Sequence, residues 1–362
     1  MVLQYGNMKL VLNVYVQLNI WNSKTFLDIF NANSFSENGG DFIMPKEPKC
    51  KVAVVQAGSV VMNKKKGVEK TIRLIKEAGK EKAKIIVFPE AFIPAYPRGM
   101  SFGAVVGSRS DEGRQDFALY ANNALEVPGV ETDAIGKATK EAGAYVVIGV
   151  IERDTESSGG TLYCTVLFFR PDGTLLGKHR KLKPTGSERL IWGEGDGSTL
   201  PVFDTPYGRI GALICWENYM PLARTAMYEQ GVDIYIAPTA DARDTWLASM
   251  QHIALEGRCF VLSCNQYSVK EDYPEHIRKR AEFESMPDVL SRGGSCVVSP
   301  LGKYIVEPVF DKEDILYAEL NLNDITAAQY DFDPVGHYSR PDVFQLVVNE
   351  ERQRNVVWKK GK

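Results

Sequence analysis

Short apolar runs alternate with amphipathic segments along most of the chain, and this order constrains the fold more than any other feature. KVAVVQAG at 51–58 and KIIVFPE at 84–90 have the length and β-branched content of buried strands. Residues 65–83, between them, carry apolar side chains at helical spacing. Further pairs of helical and strand patterns follow as far as residue 266. The alternation predicts an α/β fold.

Two hairpin signals interrupt this alternation. Residues 161–182 hold two β-rich runs joined by Arg-Pro-Asp-Gly at 170–173, which is the composition of a tight turn. A second hairpin is predicted at 299–302, where Ser-Pro-Leu-Gly separates two further apolar runs. The sheets are therefore predicted to be mixed, with both parallel and antiparallel pairs. No internal linker divides residues 51–345, which indicates one domain of catalytic size.

The first 44 residues differ from the rest. The apolar stretch at 8–21 contains asparagines and a glutamine and follows almost no positive charge, so it lacks the pattern of a secretory signal. A polar, Gly-rich stretch at 31–42 reads as a linker. We predict a loosely ordered extension over 1–44. No run of about 18 apolar residues predicts a membrane span, and cytoplasm is the expected compartment.

Charge and cysteine usage exclude several classes of protein. A net charge of −3 over 362 residues gives no electrostatic reason to expect nucleic acid or an anionic membrane as a partner. The six cysteines are scattered, without a CxxC pair, and the four histidines are far apart. This pattern favours reduced, buried thiols over a disulfide framework. It predicts no metal site, and we expect no cofactor.

Three reactive side chains each follow an apolar run directly. Glu90 ends IIVFPE, Lys181 lies at the end of a predicted hairpin strand, and Cys215 ends ALIC. Ends of core strands are where α/β folds gather catalytic groups. Taken singly, each has an ordinary explanation as a turn glutamate, a solvated lysine or a core cysteine. Together they supply a thiol, a base to deprotonate it and a cation to stabilise the resulting anion.

Four motifs around these residues resemble the nitrilase branch of the carbon–nitrogen hydrolase superfamily. They are FPEAFIPAYPRG, HRKLKPTGSERLIWGEGDGS, CWENYMPLAR and HYSRPDVF, in that order. The stretch APTADARDTWLASMQHIALEGRCFVLSCNQ resembles plant-type nitrilases in particular. The resemblance runs from about residue 51 to residue 344. It implies hydrolysis of an organic nitrile to a carboxylic acid and ammonia.

The resemblance also implies roles for individual residues. It makes Glu90 the general base, Lys181 the cationic stabiliser and Cys215 the nucleophile, with Glu188 as a second glutamate of the site and Glu217 as structural. A helix beginning after Cys215 would favour its thiolate. Aromatic side chains near the motifs either line an arylaliphatic substrate pocket or pack the core: Tyr96, Trp192 and Trp216.

The relatives imply a four-layer α-β-β-α sandwich and a homodimer or larger homo-oligomer or filament. The hydrolase domain is expected over 50–322, with a C-terminal tail at 323–362 that contributes to assembly. The charged segment 270–290 is expected to be irregular and exposed, and to serve as an assembly surface or a pocket lid.

Several other functions remain open from the sequence. An amidase or carbamoylase of the same superfamily would use the same three residues, and a cyanide-directed or β-cyanoalanine-hydrolysing enzyme would differ only in its pocket. His179, two residues before Lys181, raises the alternative of a Cys-His mechanism, which the spacing disfavours. A non-catalytic scaffold would be expected to lack Glu90, Lys181 or Cys215, and all three are present.

Overall fold

The computed structural model describes residues 47–354 and 356–359, so the extension predicted at 1–44 lies outside the described residues. Within these ranges no helix is long and apolar enough to cross a bilayer. The strands are β1 (Lys49–Gln56), β2 (Ile85–Val87), β3 (Ala104–Val105), β4 (Ser108–Arg109), β5 (Tyr145–Arg153), β6 (Leu162–Phe169), β7 (Leu175–Arg180), β8 (Val202–Phe203), β9 (Ile210–Ala212), β10 (Ile234–Thr239), β11 (Phe260–Asn265), β12 (Tyr267–Val269), β13 (Val289–Val298), β14 (Tyr304–Phe310) and β15 (Asp314–Asn321).

The α-helices are α1 (Lys64–Lys80), α2 (Asp111–Asn122), α3 (Val130–Ala142), α4 (Pro221–Glu229), α5 (Asp244–Gly257), α6 (Glu275–Arg278), α7 (Ala281–Glu284) and α8 (Asn323–Gln329). Local chemistry sets some of their ends. Asn63 caps α1 by accepting a hydrogen bond of 3.0 Å from the backbone N–H of Lys66. Pro221 starts α4, where its missing N–H costs nothing.

Two mixed sheets form the centre of the fold. The first has the strand order β15-β1-β2-β5-β6-β7, and the second has the order β12-β13-β11-β10-β9-β8, with β14 paired to β13. β1, β2 and β5 run parallel, as do β9, β10 and β11. The neighbouring pairs β5/β6, β6/β7, β11/β13 and β13/β14 are antiparallel. Both hairpins predicted from the sequence are thereby confirmed.

Strand periodicity sorts the core into layers. In β1, Val52 and Val54 belong to the large central cluster, together with Ile236 and Leu262 of the second sheet. The alternate residue Val55 instead contacts the cluster formed with α1 and α3. Successive side chains of a strand point to opposite faces, so each sheet contacts the other sheet on one face and helices on the other. A third cluster joins α4 and α5 to the second sheet, which gives the predicted α-β-β-α sandwich.

Some elements were not anticipated. The local sequence pattern does not predict β15, which pairs with β1 along its whole length, nor α2 and α8. The segment 270–290 is only partly as expected, since it forms the short helices α6 and α7 and buries four apolar side chains: Tyr273, Ile277, Phe283 and Leu290. The tail from residue 323 opens with α8, whose Ile325 is buried, and is mostly exposed over the described residues beyond it.

Candidate active site

The ends of three strands bring Glu90, Lys181 and Cys215 together. Glu90 follows β2, Lys181 follows β7 directly, and Cys215 follows β9 after two apolar residues. The exposed fractions of these side chains are 0%, 0% and 4%. Lys181 Nζ lies 2.7 Å from Glu90 Oε1, and the thiol of Cys215 lies beside both charged groups. Residues far apart in sequence thus form one buried cluster of base, cation and thiol.

Glu188 completes the cluster. Lys181 Nζ also lies 2.7 Å from Glu188 Oε2, so one ammonium bridges two carboxylates. The backbone N–H of Thr185 donates to Glu188 Oε2 at 2.6 Å, and the hydroxyl of Tyr96 donates to Oε1 at 2.8 Å. These contacts fix the glutamate, and through it the position of the ammonium. The structure therefore brings Glu188, the second glutamate implied by the resemblance, into contact with Lys181.

Burial controls the protonation of the site. Burial raises the pKa of Glu90, and the charge of Glu188 adds to that effect while Lys181 opposes it. Burial disfavours the charged form of Lys181, but its two carboxylate neighbours raise its pKa well above the usual value. Burial and the charge of Glu90 raise the pKa of Cys215 to about 12. The resting thiol is therefore neutral, and its proton must be taken by a base.

The backbone at Cys215 aims its side chain into the site. Cys215 has a φ of 51°, a conformation that non-glycine residues seldom adopt. It opens the 3₁₀ turn Cys215–Tyr219, in which the side-chain amide of Asn218 donates to the carbonyls of Leu213 and Cys215 at 2.8 and 2.7 Å. The hydroxyl of Thr239 donates to Cys215 Sγ at 3.3 Å. The helix expected after Cys215 begins only at Pro221.

Glu217 joins the two strand ends on which the site is built. It accepts hydrogen bonds of 2.6 Å from the backbone N–H groups of Leu182 and Ile214, next to Lys181 and Cys215 respectively. His179 Nε2 lies 2.9 Å from the same carboxylate, and both side chains are fully buried. Glu217 therefore holds the lysine strand against the cysteine turn without facing the thiol, in keeping with the structural role implied by the resemblance.

We expect Glu217→Gln to lower the free energy of unfolding by about 3 kcal/mol, because it weakens two backbone hydrogen bonds and leaves His179 without its counter-charge. Burial alone would lower the pKa of His179, but Glu217 raises it above the ordinary value. The ion pair thus stabilises the fold at acidic to neutral pH and is lost as pH rises through the raised pKa. Urea unfolding at several pH values should show that the difference in unfolding free energy between the wild type and Glu217→Gln becomes smaller at alkaline pH.

Glu194→Gln is the matched control for that measurement, since Glu194 pairs with Lys183 at the surface and is half exposed. Exposed ion pairs contribute about 0–1 kcal/mol. Equal unfolding free energies for the two variants at neutral pH would mean that Glu217 does not clamp the site.

A cavity of about 390 Å³ opens onto Cys215. Tyr96 and Trp216 form aromatic parts of its wall, and Trp216 is held in place because its Nε1 donates to Asp241 Oδ2 at 2.9 Å and Arg243 stacks 4.9 Å above its ring. Trp192, in contrast, is 4% exposed and packs edge-on behind Tyr96, outside the cavity lining. The cavity thus has aromatic surface in its wall and the thiol of Cys215 in its lining.

Sequence reasoning missed other residues of this region. Thr239, which contacts the thiol, ends β10 after the apolar run IYIAP, and the same strand-end argument would have identified it. Arg98 lines the cavity and hydrogen-bonds the carbonyl of Ala240. Of the segment 270–290, which was expected to form an assembly surface or a pocket lid, only Val289 and Leu290 line the cavity. No group of three or more His, Cys, Asp or Glu positioned for a metal occurs in the described part of the chain.

Comparison with known sequences agrees with this chemistry. The carbon–nitrogen hydrolase family model matches residues 51–330. The chain is 57% identical over 310 residues to an aliphatic nitrilase of Sinorhizobium fredii, covering 85% of this chain and 98% of that one. It is 52% identical over 315 residues to a bifunctional nitrilase/nitrile hydratase of Lupinus angustifolius, covering 86% and 89%. Nitrilase 2 of Arabidopsis thaliana is 47% identical over 312 residues, covering 85% and 91%.

Comparison with solved structures supports the fold. A carbon–nitrogen hydrolase from Helicobacter pylori superimposes with a TM-score of 0.64 at 21% identity, covering 82% of this chain and 97% of that one. The Saccharomyces cerevisiae Nit3 protein, described as a member of branch 10 of the nitrilase superfamily, gives 0.63 at 23% identity, covering 81% and 97%. At these identities the likeness concerns the architecture alone.

Proposed function

The chain belongs to the carbon–nitrogen hydrolase family and is a nitrilase, and we propose that Cys215, Glu90 and Lys181 carry its reaction. The observation that supports this assignment is the buried contact of all three groups, with Cys215 lining a cavity of about 390 Å³. Glu188 acts with them by holding the ammonium from its other side. Tyr96 and Trp216 contact the substrate, and Trp192 supports Tyr96 from behind.

The first step forms the carbon–sulfur bond. Glu90 takes the proton of the neutral Cys215 thiol as the sulfur attacks the nitrile carbon, and that proton is delivered to the nitrogen to give a thioimidate. Negative charge develops on the nitrogen during the attack. Lys181 and the backbone N–H of Trp216 are the groups that stabilise it.

The later steps consume two water molecules. Glu90 deprotonates the first water, which adds to the thioimidate carbon and gives a tetrahedral intermediate. Collapse of this intermediate breaks the carbon–nitrogen bond and releases ammonia, leaving a thioester on Cys215. A second water, again activated by Glu90, cleaves the thioester to the carboxylic acid and restores the thiol. The raised pKa of Glu90 suits a group that must both accept and return protons near neutral pH.

The tetrahedral intermediate can also break down in a second way. If its carbon–sulfur bond breaks before the carbon–nitrogen bond, the product is an amide. The relative from Lupinus angustifolius is named both a nitrilase and a nitrile hydratase, which supports measuring both products here. Cyanide-directed, β-cyanoalanine-directed and amidase activities are the other outcomes that the substrate panel below distinguishes.

We also propose that the protein works as a homodimer or a larger homo-oligomer or filament, in the cytoplasm, with residues 323–362 contributing to assembly. Exposed apolar side chains in the tail support the assembly proposal, among them Phe344, Val347 and Trp358. Thiol-dependent chemistry is compatible with a reducing compartment. Size-exclusion chromatography with light scattering, on the full chain and on a chain ending after residue 330, tests the role of the tail.

A panel of substrates tests the proposed activity. Ammonia, acid and amide are measured after incubation with arylaliphatic nitriles, aliphatic nitriles, β-cyanoalanine, cyanide and the amide that corresponds to each. We expect ammonia and acid from nitriles, with the amides left intact. Turnover of the amides alone would reassign the enzyme as an amidase.

A further inference from the structure

A second thiol lies against the proposed general base. Cys164 is in the interior of β6 and is 1% exposed. Its Sγ lies 3.6 Å from Glu90 Oε1, within hydrogen-bonding distance for sulfur. Its backbone carbonyl accepts a hydrogen bond of 2.8 Å from the N–H of Lys181. Cys164 therefore contacts both Glu90 and the lysine strand, although the reaction described above does not use it.

Cys164 is not a second nucleophile. It does not line the cavity that opens onto Cys215. Complete burial, together with the negative charge of Glu90, raises the pKa of its thiol well above the usual value. The group accordingly stays protonated as S–H, and a thiol that keeps its proton beside a carboxylate acts as a hydrogen-bond donor.

The contacts of the two Glu90 oxygens are unequal. Oε1 accepts from Lys181 Nζ at 2.7 Å and from Cys164 Sγ at 3.6 Å. Oε2 is buried and has no hydrogen-bond partner among the described residues. Burying a carboxylate oxygen without a hydrogen-bond partner lowers the stability of the fold. A catalytic role is one reason why a native protein retains such a group. Cys215 lies beside this carboxylate, so Oε2 is the oxygen left free for its proton and afterwards for water.

We propose that Cys164 is a positioning residue of the reaction: its S–H donates to Glu90 Oε1 and fixes the carboxylate with Oε2 directed toward Cys215 and the attacking water. This inference rests on the proposed role of Glu90. Without the donor, Lys181 alone holds Oε1, and the carboxylate is free to rotate about that single contact. The donor also stabilises the ionised, proton-accepting form of Glu90.

Alanine and serine at position 164 form the matched pair for the test. They are similar in size, and only serine supplies a donor. We expect Cys164→Ala to lower kcat about tenfold, the loss corresponding to one hydrogen bond to a charged group. KM should change little because Cys164 does not reach the cavity. Cys164→Ser should restore most of kcat.

The pH profile of kcat/KM distinguishes a loss of positioning of the Glu90 carboxylate from a packing defect at position 164. Glu90 must be ionised to accept a proton, so activity falls as pH drops through its pKa. The charged and titratable groups around it are Lys181, Glu188, Cys215, Cys164 and Tyr96. Loss of the Cys164 donor should move the acidic limb to higher pH in the alanine variant, and the serine variant should follow the wild type. A packing defect alone would lower activity without moving that limb.

Two controls make the outcomes distinguishable. Cys259→Ala removes a thiol buried in the outer core between the second sheet and its helices, and it should leave kcat and the pH profile unchanged. If Cys164→Ala does not fold, Cys164→Val takes its place, since it fills the space without a donor. Equal kcat and equal acidic limbs for the serine variant and the variant lacking a donor would overturn the inference. Full activity of Cys215→Ala would instead overturn the proposed mechanism itself.

Discussion

Replacement of Cys215 by alanine should lower nitrile turnover by at least about a thousandfold, which is the scale of loss when a covalent nucleophile is removed. The Cys215 thiol faces the cavity and lies beside Glu90 and Lys181, and the other described cysteines do not line that cavity. No neighbouring side chain can form the thioimidate in its place. Ammonia release from a saturating nitrile, compared between variant and wild type, measures the effect.

The structure suggests that this variant will fold. Removing the sulfur takes away the Thr239 hydroxyl contact, the contact with Glu90 and a small buried volume, so about 1 kcal/mol of stability is at stake. Circular dichroism and thermal unfolding check this point. Cys296→Ala is the matched control, because Cys296 is a buried core thiol away from the cavity. Ammonia release by Cys215→Ala close to that of Cys296→Ala would return Cys215 to the role of a core residue.

Much of the fold could be predicted from the sequence because the central strands consist almost entirely of apolar residues. Strands such as Ile234–Thr239 are buried on both faces, and composition alone identifies them. β15 escaped notice because its burial alternates between buried and partly exposed positions at the edge of a sheet. An edge strand is specified mainly by its pairing with β1, which a local pattern does not reveal.

The site divides in the same way. Glu90, Lys181 and Cys215 could be predicted because each follows a core strand and the motifs resemble a known family. Thr239 also ends a core strand, so the same argument would have found it. Cys164 lies inside a strand, where its thiol has the pattern of an ordinary core cysteine, and its contact with Glu90 could not be predicted. A helix beginning directly after Cys215 was expected to favour its thiolate, but the helix begins at Pro221. Burial and the charge of Glu90 raise the pKa of the thiol.

The contacts of Lys181 show that the site depends on charge balance. One ammonium serves two carboxylates, those of Glu90 and Glu188, and each contact is 2.7 Å long. All three side chains are buried, with exposed fractions of 7% or less. Buried ions stabilise a fold only weakly as a complete set, but removal of one partner leaves the others uncompensated. Lys181, the proposed cation of the reaction, is thus also expected to maintain the integrity of the site.

Lys181→Met keeps the length of the side chain and removes its charge, and it leaves two buried carboxylates facing each other. We expect the free energy of unfolding at neutral pH to fall by about 3–5 kcal/mol. Turnover should fall by at least about a thousandfold, because the cation that stabilises the developing charge on nitrogen is lost as well. Urea unfolding and ammonia release measure the two effects separately.

The pH dependence of the stability loss identifies its cause. In the wild type, Lys181 lowers the pKa of Glu90 and so opposes the effect of burial. Without the ammonium, the pKa of Glu90 should rise further above its unfolded value. A carboxyl whose pKa is higher in the folded state than in the unfolded state destabilises the fold at high pH. This destabilisation decreases as pH falls and the carboxyl becomes protonated. The deficit of Lys181→Met should therefore shrink as pH falls toward the acid range. Lys183→Met, which removes an exposed lysine paired with Glu194, should cost less than about 1 kcal/mol at every pH. A deficit of Lys181→Met that stayed constant with pH would indicate lost packing in place of unpaired charge.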